Sequence, residues 1–429
     1  MKNFFKKMVV GILFFSAKQV LLRHKPVVIA ITGSVGKTTT KDFVYEILKE
    51  KFKTRKSQKS FNSELGVPLT ILGLPNAWNS PYEWIQNIIK SLFIAFFSKD
   101  YPETLVLEIG IDRPGDMEKI TSWIKPDVVI MTRLPKIPVH VEYFKTPEDV
   151  IFEKFKLVDV LKSDGVFIYN HDDALIANRL SDVRSKTIGY SRYLSSDFTA
   201  GKDRIIYDKD NRYPTGVEFI IEHDKETKRL FIADTIGTQH IYAVLAALAV
   251  GNYFGIGLET SIKNLTDFKT QPGRMRLLAG IKSSLIIDDT YNSSPIALQN
   301  ALETIGELQV EGRKIAILGD MLELGDYTKD EHYRLGKLSA RYVNNLLVFG
   351  KFSKYFVEGA LSAGMPESNI RQFDSVKKCG LFLQSLLSLG DVALVKASQG
   401  SRAEKIVLEV MYDSDFAEDL LVRQDKNWL

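Results

Sequence analysis

The chain has 429 residues, 45% hydrophobic and 26% charged, a balance that excludes wholesale disorder, a collagen-like repeat and a polytopic membrane protein. At about 150 residues per domain it argues for two or three domains. Lys and Arg total 57 against 53 Asp and Glu, and a net charge of +4 gives no case for nucleic acid. The single cysteine, Cys379, excludes an internal disulfide framework and a zinc site built on several thiolates, and it fits a reducing cytoplasm.

In chain order, residues 1–25 stand apart. Lys2, Lys6 and Lys7 precede an apolar run from Met8 to Phe15, and Lys18, Arg23, His24 and Lys25 follow. The run is much shorter than the ~20 residues needed to span a bilayer, and no small-x-small cleavage site follows it. It reads as a basic, amphipathic helix, either lying on an anionic membrane or packed on the protein's own surface. From Val27 apolar strands alternate with amphipathic helices, the pattern of an α/β fold with a largely parallel sheet. Strands are expected at Val27–Thr32, Thr104–Ile109, Val128–Met131 and Val166–Tyr169, and helices at Lys37–Lys49, Trp84–Phe97, Pro147–Leu161 and Gln239–Tyr253. Residues Lys186–Thr235 read as short β segments, an insertion or a sheet extension. A boundary near Gln271–Gly273 opens a second α/β series, with strands Leu285–Asp288, Ile315–Leu318, Asn345–Phe349 and Val392–Val395.

The strongest local signal is Thr32-Gly33-Ser34-Val35-Gly36-Lys37-Thr38-Thr39, set between a buried strand and a helix. Glycines let a backbone close around phosphates, and the amides at a helix start point at the anion. Lys37 would neutralise the β/γ-phosphates and Thr38 would offer its hydroxyl to Mg²⁺. The general motif wants Gly five residues before Gly36, where this chain has Ile31, so the loop is a variant. Gly33, Ser34, Val35, Gly36, Lys37, Thr38 and Thr39 are the candidate ATP-binding residues. Glu108, at the end of a buried strand, suits a hard cation such as Mg²⁺.

The variant loop resembles that of the Mur ligases, ATP-dependent amide-forming enzymes of peptidoglycan synthesis. Further blocks match in order: Phe61-Asn62 ahead of Gly66-Val67-Pro68, Leu107-Glu108-Ile109-Gly110, His140-Val141-Glu142, Asp172-Asp173, Gly273-Arg274-Met275, Asp288-Asp289-Thr290-Tyr291-Asn292, Gly319-Asp320-Met321-Leu322-Glu323-Leu324-Gly325 and Val395-Lys396-Ala397-Ser398. The last blocks point to the branch that adds D-alanyl-D-alanine. The resemblance implies a helix at 1–25, a central P-loop-type ATPase domain with a mostly parallel sheet at 26–272, and a Rossmann-like α/β C-terminal domain at 273–429. It implies an ATP-dependent carboxylate–amine ligase that activates a muramoyl-peptide carboxylate as an acyl phosphate for attack by the dipeptide amine.

By that resemblance Lys37, Glu108, His140 and Lys154 are catalytic, with two Mg²⁺ held by Thr38, Glu108 and His140. Lys154 is the lysine that family members carbamylate. Arg274, Asp289 and Asn292 would contact ATP from the C-terminal domain, and Asn62, Asp320, Lys396 and Ser398 would face the substrates. The chain also departs from the family. Lys156 stands where an acid is usual, Gln239-His240 where His-Asn is usual, Ala397 for glycine, and Ser60 and Ser63 for asparagines. Only about 25 residues precede the first strand, where relatives carry a domain of roughly a hundred residues that grips uridine diphosphate. The donor is therefore a muramoyl-peptide nucleotide or a lipid-linked muramoyl peptide, handled in the cytoplasm, with residues 1–25 suited to the membrane's inner face. The rival readings are a ligase making another amide polymer, such as polyglutamate or cyanophycin, and a nucleotide-binding scaffold without turnover. The amidating branch with a four-cysteine zinc insertion is disfavoured by the single cysteine.

Overall fold

The computed structural model describes the backbone of residues 2–424 except 59, 60, 63, 79, 211 and 267, and side chains from Met8 onward. Two sheets organise the chain. The first holds nine strands: β1 (Val27–Thr32), β2 (Thr54–Lys56), β3 (Thr104–Glu108), β4 (Val128–Met131), β5 (Val166–Asn170), β6 (Lys186–Ser191), β7 (Phe198–Tyr207), β8 (Pro214–His223) and β9 (Glu226–Ala233), in the order β2-β3-β1-β4-β5-β6-β7-β8-β9. Pairing is parallel from β2 to β7 and antiparallel across β7, β8 and β9. The segment expected as short β pieces is thus a sheet extension, in strands of up to ten residues.

The second sheet holds β10 (Arg276–Gly280), β11 (Ser284–Asp289), β12 (Lys314–Leu318), β13 (Asn345–Phe349), β14 (Ile370–Phe373) and β15 (Val392–Lys396), in the order β10-β11-β15-β12-β13-β14. Only β10 runs antiparallel. The pattern reading omitted β2, β10 and β14, which are short or mixed in polarity and sit at or near sheet edges. The central strands are buried on both faces and read as unbroken apolar runs, which is why they were legible.

Helices begin where capping chemistry permits. Helix α1 is Lys2–His24, α2 is Lys37–Leu48, α3 is Gly66–Leu72, α4 is Pro81–Phe96, α5 is Asp116–Thr121 and α6 is Pro147–Asp159. For α6, the Thr146 side chain accepts the Asp149 amide while the Asp149 carboxylate accepts the Thr146 amide, and Pro147 occupies the first turn. Ser80 and Pro81 start α4 three residues before the expected Trp84. The helix Thr238–Tyr253 is apolar nearly all round and is buried against α2 and the first sheet.

Helix α1 is built into the fold. Val9, Leu13, Ala17 and Val20 form one buried face against α3 and α4, Ser16 and Ser91 hydroxyls lie 3.2 Å apart, and the Arg23 guanidinium donates to the Ala95 carbonyl. Phe14 meets Trp123 edge-on at 4.9 Å. No helix among the described residues is long and apolar enough to cross a membrane. Because α1 fills the core, Leu13→Ala should lower the unfolding free energy by about 2–5 kcal/mol. Met8→Ala, on the exposed face, should change it by less than about 0.5 kcal/mol. Urea denaturation of the two variants separates these outcomes; equal effects would show that α1 is not anchored by its inner face.

Candidate functional site

Loops beyond the carboxyl ends of β1, β3, β4 and β12 come together where the two sheets approach, the usual location for ligands in open α/β sheets. Strand β1 ends at Thr32 and turns into the loop Gly33–Gly36 ahead of α2. Gly33 has φ +136°, and a Cβ there would stand 2.1 Å from the Thr132 hydroxyl. That hydroxyl donates at 2.7 Å to the Val35 carbonyl, and the Ser34 amide donates to the Arg133 carbonyl. The strand end after β4 therefore moulds the loop, and only glycine fits at position 33. Gly36, at φ +88°, starts the helix.

Two ammonium groups meet on this loop. Lys37 Nζ donates to the Gly33 carbonyl at 3.0 Å, and Lys154 Nζ, carried by α6, donates to the same oxygen at 3.2 Å. Burial pushes the Lys37 pKa down, while the Glu108 charge opposes this. Lys154 is pushed down to about 7, first by burial and then by the Lys37 charge. The neighbouring Lys156 points away, paired with Glu153 at 2.9 Å and Glu118 at 3.5 Å. Glu153 accepts the Gly115 and Met117 amides, so the Lys156 departure tunes the α5–α6 surface and leaves the loop untouched.

Glu108 closes β3 and is buried. Asn62 Nδ2 donates to its Oε1 at 3.1 Å, while Lys41 Nζ lies 4.0 Å from its Oε2, which makes no hydrogen bond. Burial also lowers the Lys41 pKa, against the pull of Asp42 and Glu108. His140, at φ +68° after β4, places Nδ1 2.9 Å from Glu323 Oε2 and Nε2 3.6 Å from Asp112 Oδ1. Its hydrogen bond holds the Glu323 carboxylate below the ordinary range. The residue pattern alone assigns nothing to Thr132, Lys41, Asp112 or Glu323. Thr132 and Asp112 lie just beyond buried strands and Glu323 within a matched block, while Lys41, inside α2, carried no such signal.

The second sheet reaches across. Arg274 Nη2 donates to the Thr38 hydroxyl at 3.1 Å, and the guanidinium stacks 3.9 Å from the Tyr291 ring. At the end of β11, Asp289 accepts from Lys396 Nζ at 2.6 Å, and Lys396 also donates to the Asn292 carbonyl. Asn292 Oδ1 accepts the Ser293 amide. Asp288 is held by Thr290 and the Gly273 amide, and burial raises it to about 6. Ser398 accepts the Leu322 amide. The Asp320 carboxylate, expected to face a substrate, accepts the Lys351 and Phe352 amides and so holds the turn after β13. His240 is wholly buried, 2.9 Å from the Thr235 hydroxyl, and burial drops it to about 4, which keeps it neutral. Its neighbour Gln239 has a buried Oε1 without a partner. Ser60 and Ser63 lie outside the described residues.

The residues fit a phosphate-bound divalent cation. Glu108 Oε2 and the Ser34 hydroxyl are buried without hydrogen-bond partners, and both are hard oxygen donors. Among the described residues no cluster of three or more His, Cys, Asp or Glu would hold a metal alone. Mg²⁺ typically shares phosphate oxygens and water with one or two protein ligands, which matches this sparse set.

Family comparison decides what this cleft belongs to. The Mur ligase middle domain matches residues 31–251, and the Mur ligase glutamate ligase domain matches residues 273–399. The chain belongs to the Mur ligase family. It is 29% identical over 388 residues to the UDP-N-acetylmuramoyl-tripeptide--D-alanyl-D-alanine ligase of Bacillus subtilis, covering 90% of this chain and 76% of that protein. The Escherichia coli ligase of the same name is 24% identical over 385 residues, covering 89% of this chain and 76% of that protein. The fold matches the MurF ligase of Thermotoga maritima, solved with ADP, at a TM-score of 0.74 and 24% identity, covering 93% of this chain and 82% of that one. MurF of Acinetobacter baumannii superposes at 0.76 and 20% identity, covering 93% and 79%. This Mur-family chain places its loop lysines, Glu108 and Arg274 in one cleft.

The depressed lysine makes a pH prediction. Between about pH 7 and the ordinary lysine value of 10.5, native Lys154 is mostly unprotonated while the unfolded residue keeps its proton. The unfolded state binds more protons there, so this residue makes stability rise with pH across that window. Lys154→Met should remove that rise. Urea midpoints in bicarbonate-free buffer from about pH 7 to 9 should climb more steeply for the wild type than for the variant. Parallel curves would mean that Lys154 is protonated in the fold.

Proposed function

We propose that this protein is an ATP-dependent ligase that joins the terminal carboxylate of a muramoyl tripeptide to the amine of D-alanyl-D-alanine. The observation that carries the reading is the convergence of Lys37 and Lys154 on the Gly33 carbonyl, with Arg274 reaching Thr38 from the second sheet. Lys37 and Arg274, two cationic side chains at a glycine loop, suit a transferred phosphoryl group, whose charge spreads over its oxygens in the transition state. The reading divides the chain into an N-terminal helix (1–25), an ATP-binding domain (26–272) and a C-terminal domain (273–429) that closes on it.

In this mechanism Gly33–Thr39 wrap the phosphates and Lys37 offsets their charge. Arg274, Asp289 and Asn292 approach the nucleotide from the second sheet. Thr38, Glu108 and His140 would hold Mg²⁺, which when bound would neutralise phosphate charge. Asn62 orients Glu108 by its hydrogen bond. The donor carboxylate attacks the γ-phosphorus, ADP leaves, and the dipeptide amine then attacks the acyl carbon and expels phosphate. Asn62, Asp320, Lys396 and Ser398 lie on the loops that would line the two substrates; Asp320 and Lys396 act there by holding turns.

Lys154 is carbamylated in this reading. Its neutral amine, favoured by burial near neutral pH, bonds to the carbon of CO₂ and releases one proton. The resulting anion would relieve the repulsion from Lys37. The donor is nucleotide-linked and the reaction cytoplasmic. A lipid-linked muramoyl peptide is the second donor class, favoured by the basic and apolar residues 1–25.

The test is phosphate release on mixing ATP, Mg²⁺, UDP-linked muramoyl tripeptide and D-alanyl-D-alanine, with the lipid-linked donor in parallel. Lys37→Ala should lower kcat/KM on the order of 100-fold or more with the fold retained. No ligation with either donor would overturn the reading in favour of another amide product or a scaffold. Lys154→Ala should be nearly inactive and saturably rescued by acetate or formate but not by chloride, whereas Lys156→Ala should remain active. Full activity of Lys154→Ala without added carboxylate would remove the carbamate.

A further inference from the structure

Helix α4 is apolar on its outside. Its inner side, including Asn87, Ser91 and Ala95, is buried against α1 and the core. The opposite side presents Tyr82, Ile85, Ile89, Phe93 and Phe96 at spacings of three and four residues, a single stripe along the helix. Tyr82 is 70% exposed, Ile89 63% and Phe93 60%, values that place whole side chains in solvent. The stripe continues onto α1. Met8, Phe15 and Leu22 repeat every seven residues on its outer face, and the Phe15 and Phe96 rings lie 6.3 Å apart. Two helices side by side thus form one apolar surface, far larger than the scattered hydrophobes normal on a soluble protein.

Most charges around this surface are basic. Lys18 follows Phe15 by one turn on the exposed face of α1, Lys90 flanks Ile89, and Lys99 follows Phe97, all exposed. The sequence adds Lys2, Lys6 and Lys7 at the start of α1 and contains no Asp or Glu before Asp42. Of the acids nearest α4, Glu83 sits in its first turn and Asp100 is paired with Lys53. Aromatic and aliphatic side chains in a plane, edged by lysines, match the acyl–headgroup boundary of an anionic bilayer. Neither helix can cross it, so the fit is to a surface.

We infer that the outer faces of α1 and α4 together dock this protein flat on an anionic membrane surface. The contact depends on side chains of both helices, not on residues 1–25 alone, and it does not use the ligase reading. Deleting α1 would strip the core, so the test uses surface substitutions in the full chain. Sedimentation with vesicles of phosphatidylcholine, with and without phosphatidylglycerol, should show wild type bound to the anionic vesicles, with binding weakened by salt. Ile89→Glu with Phe93→Glu should lower that binding by about tenfold or more at an unchanged melting temperature. Lys18→Glu with Lys90→Glu should remove most of the salt-sensitive part. If the first pair fails to fold, the second decides, and unchanged binding there overturns the inference. So does absence of wild-type binding to anionic vesicles. A concentration-dependent dimer that Ile89→Glu/Phe93→Glu dissolves, without vesicle binding, would also overturn it and assign the face to a second copy.

Discussion

Lys37, half-buried, and Lys154, buried, both donate to the Gly33 carbonyl. Two like charges held on one acceptor repel strongly at low dielectric, and Lys154 is buried away from solvent. The fold accepts this because it is stable elsewhere and because an anion or a lost proton relieves it. The surrounding architecture is organised around that oxygen. Gly33 adopts a backbone angle closed to other residues, Thr132 pins the loop from the next strand, and the capped start of α6 aims Lys154 at it. A polyanion entering this cleft finds its countercharges already in place, so little reorganisation is needed when charge develops.

The second sheet completes the cleft through a few long side chains. Arg274 bonds Thr38, and Glu323 meets His140, so the two halves touch at the start of α2 and at the loop after β4. Behind these contacts the Asp289–Lys396 pair and the Ser398 hydroxyl tie the loops at the carboxyl ends of β11, β12 and β15 to one another. Buried pairs of this kind add little net stability but fix geometry, because either partner alone would be an uncompensated charge. The loops are tied among themselves, while the two halves also meet away from the site, where Ile137, Ile205 and Tyr213 pack on the second core.

Helix α1 shows how one segment can satisfy two solvents. Its inner face is continuous with the main core, and its outer face joins the exposed stripe of α4. A helix that is apolar on both sides gives no clean amphipathic signature, so periodicity alone could not say which side faced the protein. Packing settled the inner face.

Local pattern sufficed for much of this protein. The buried central strands, the glycine loop with Lys37-Thr38, Glu108 at a strand end and the ordered family blocks were all legible because apolar runs, glycine turns and capping residues act over a few neighbours. Lys154 and Arg274 were named through the family blocks, but their partners, distant along the chain, were not. Lys154 lies 121 positions from the carbonyl it bonds, Arg274 lies 236 from Thr38, and Asp320 turns out to hold the turn after β13. The short edge strands β2, β10 and β14 lacked enough apolar residues to announce themselves. Sequence determined which residue types stand at the strand ends; only the crossing of two parallel sheets decided which of them meet, because charge and hydrogen bonding act over ångströms in space, whatever their separation along the chain.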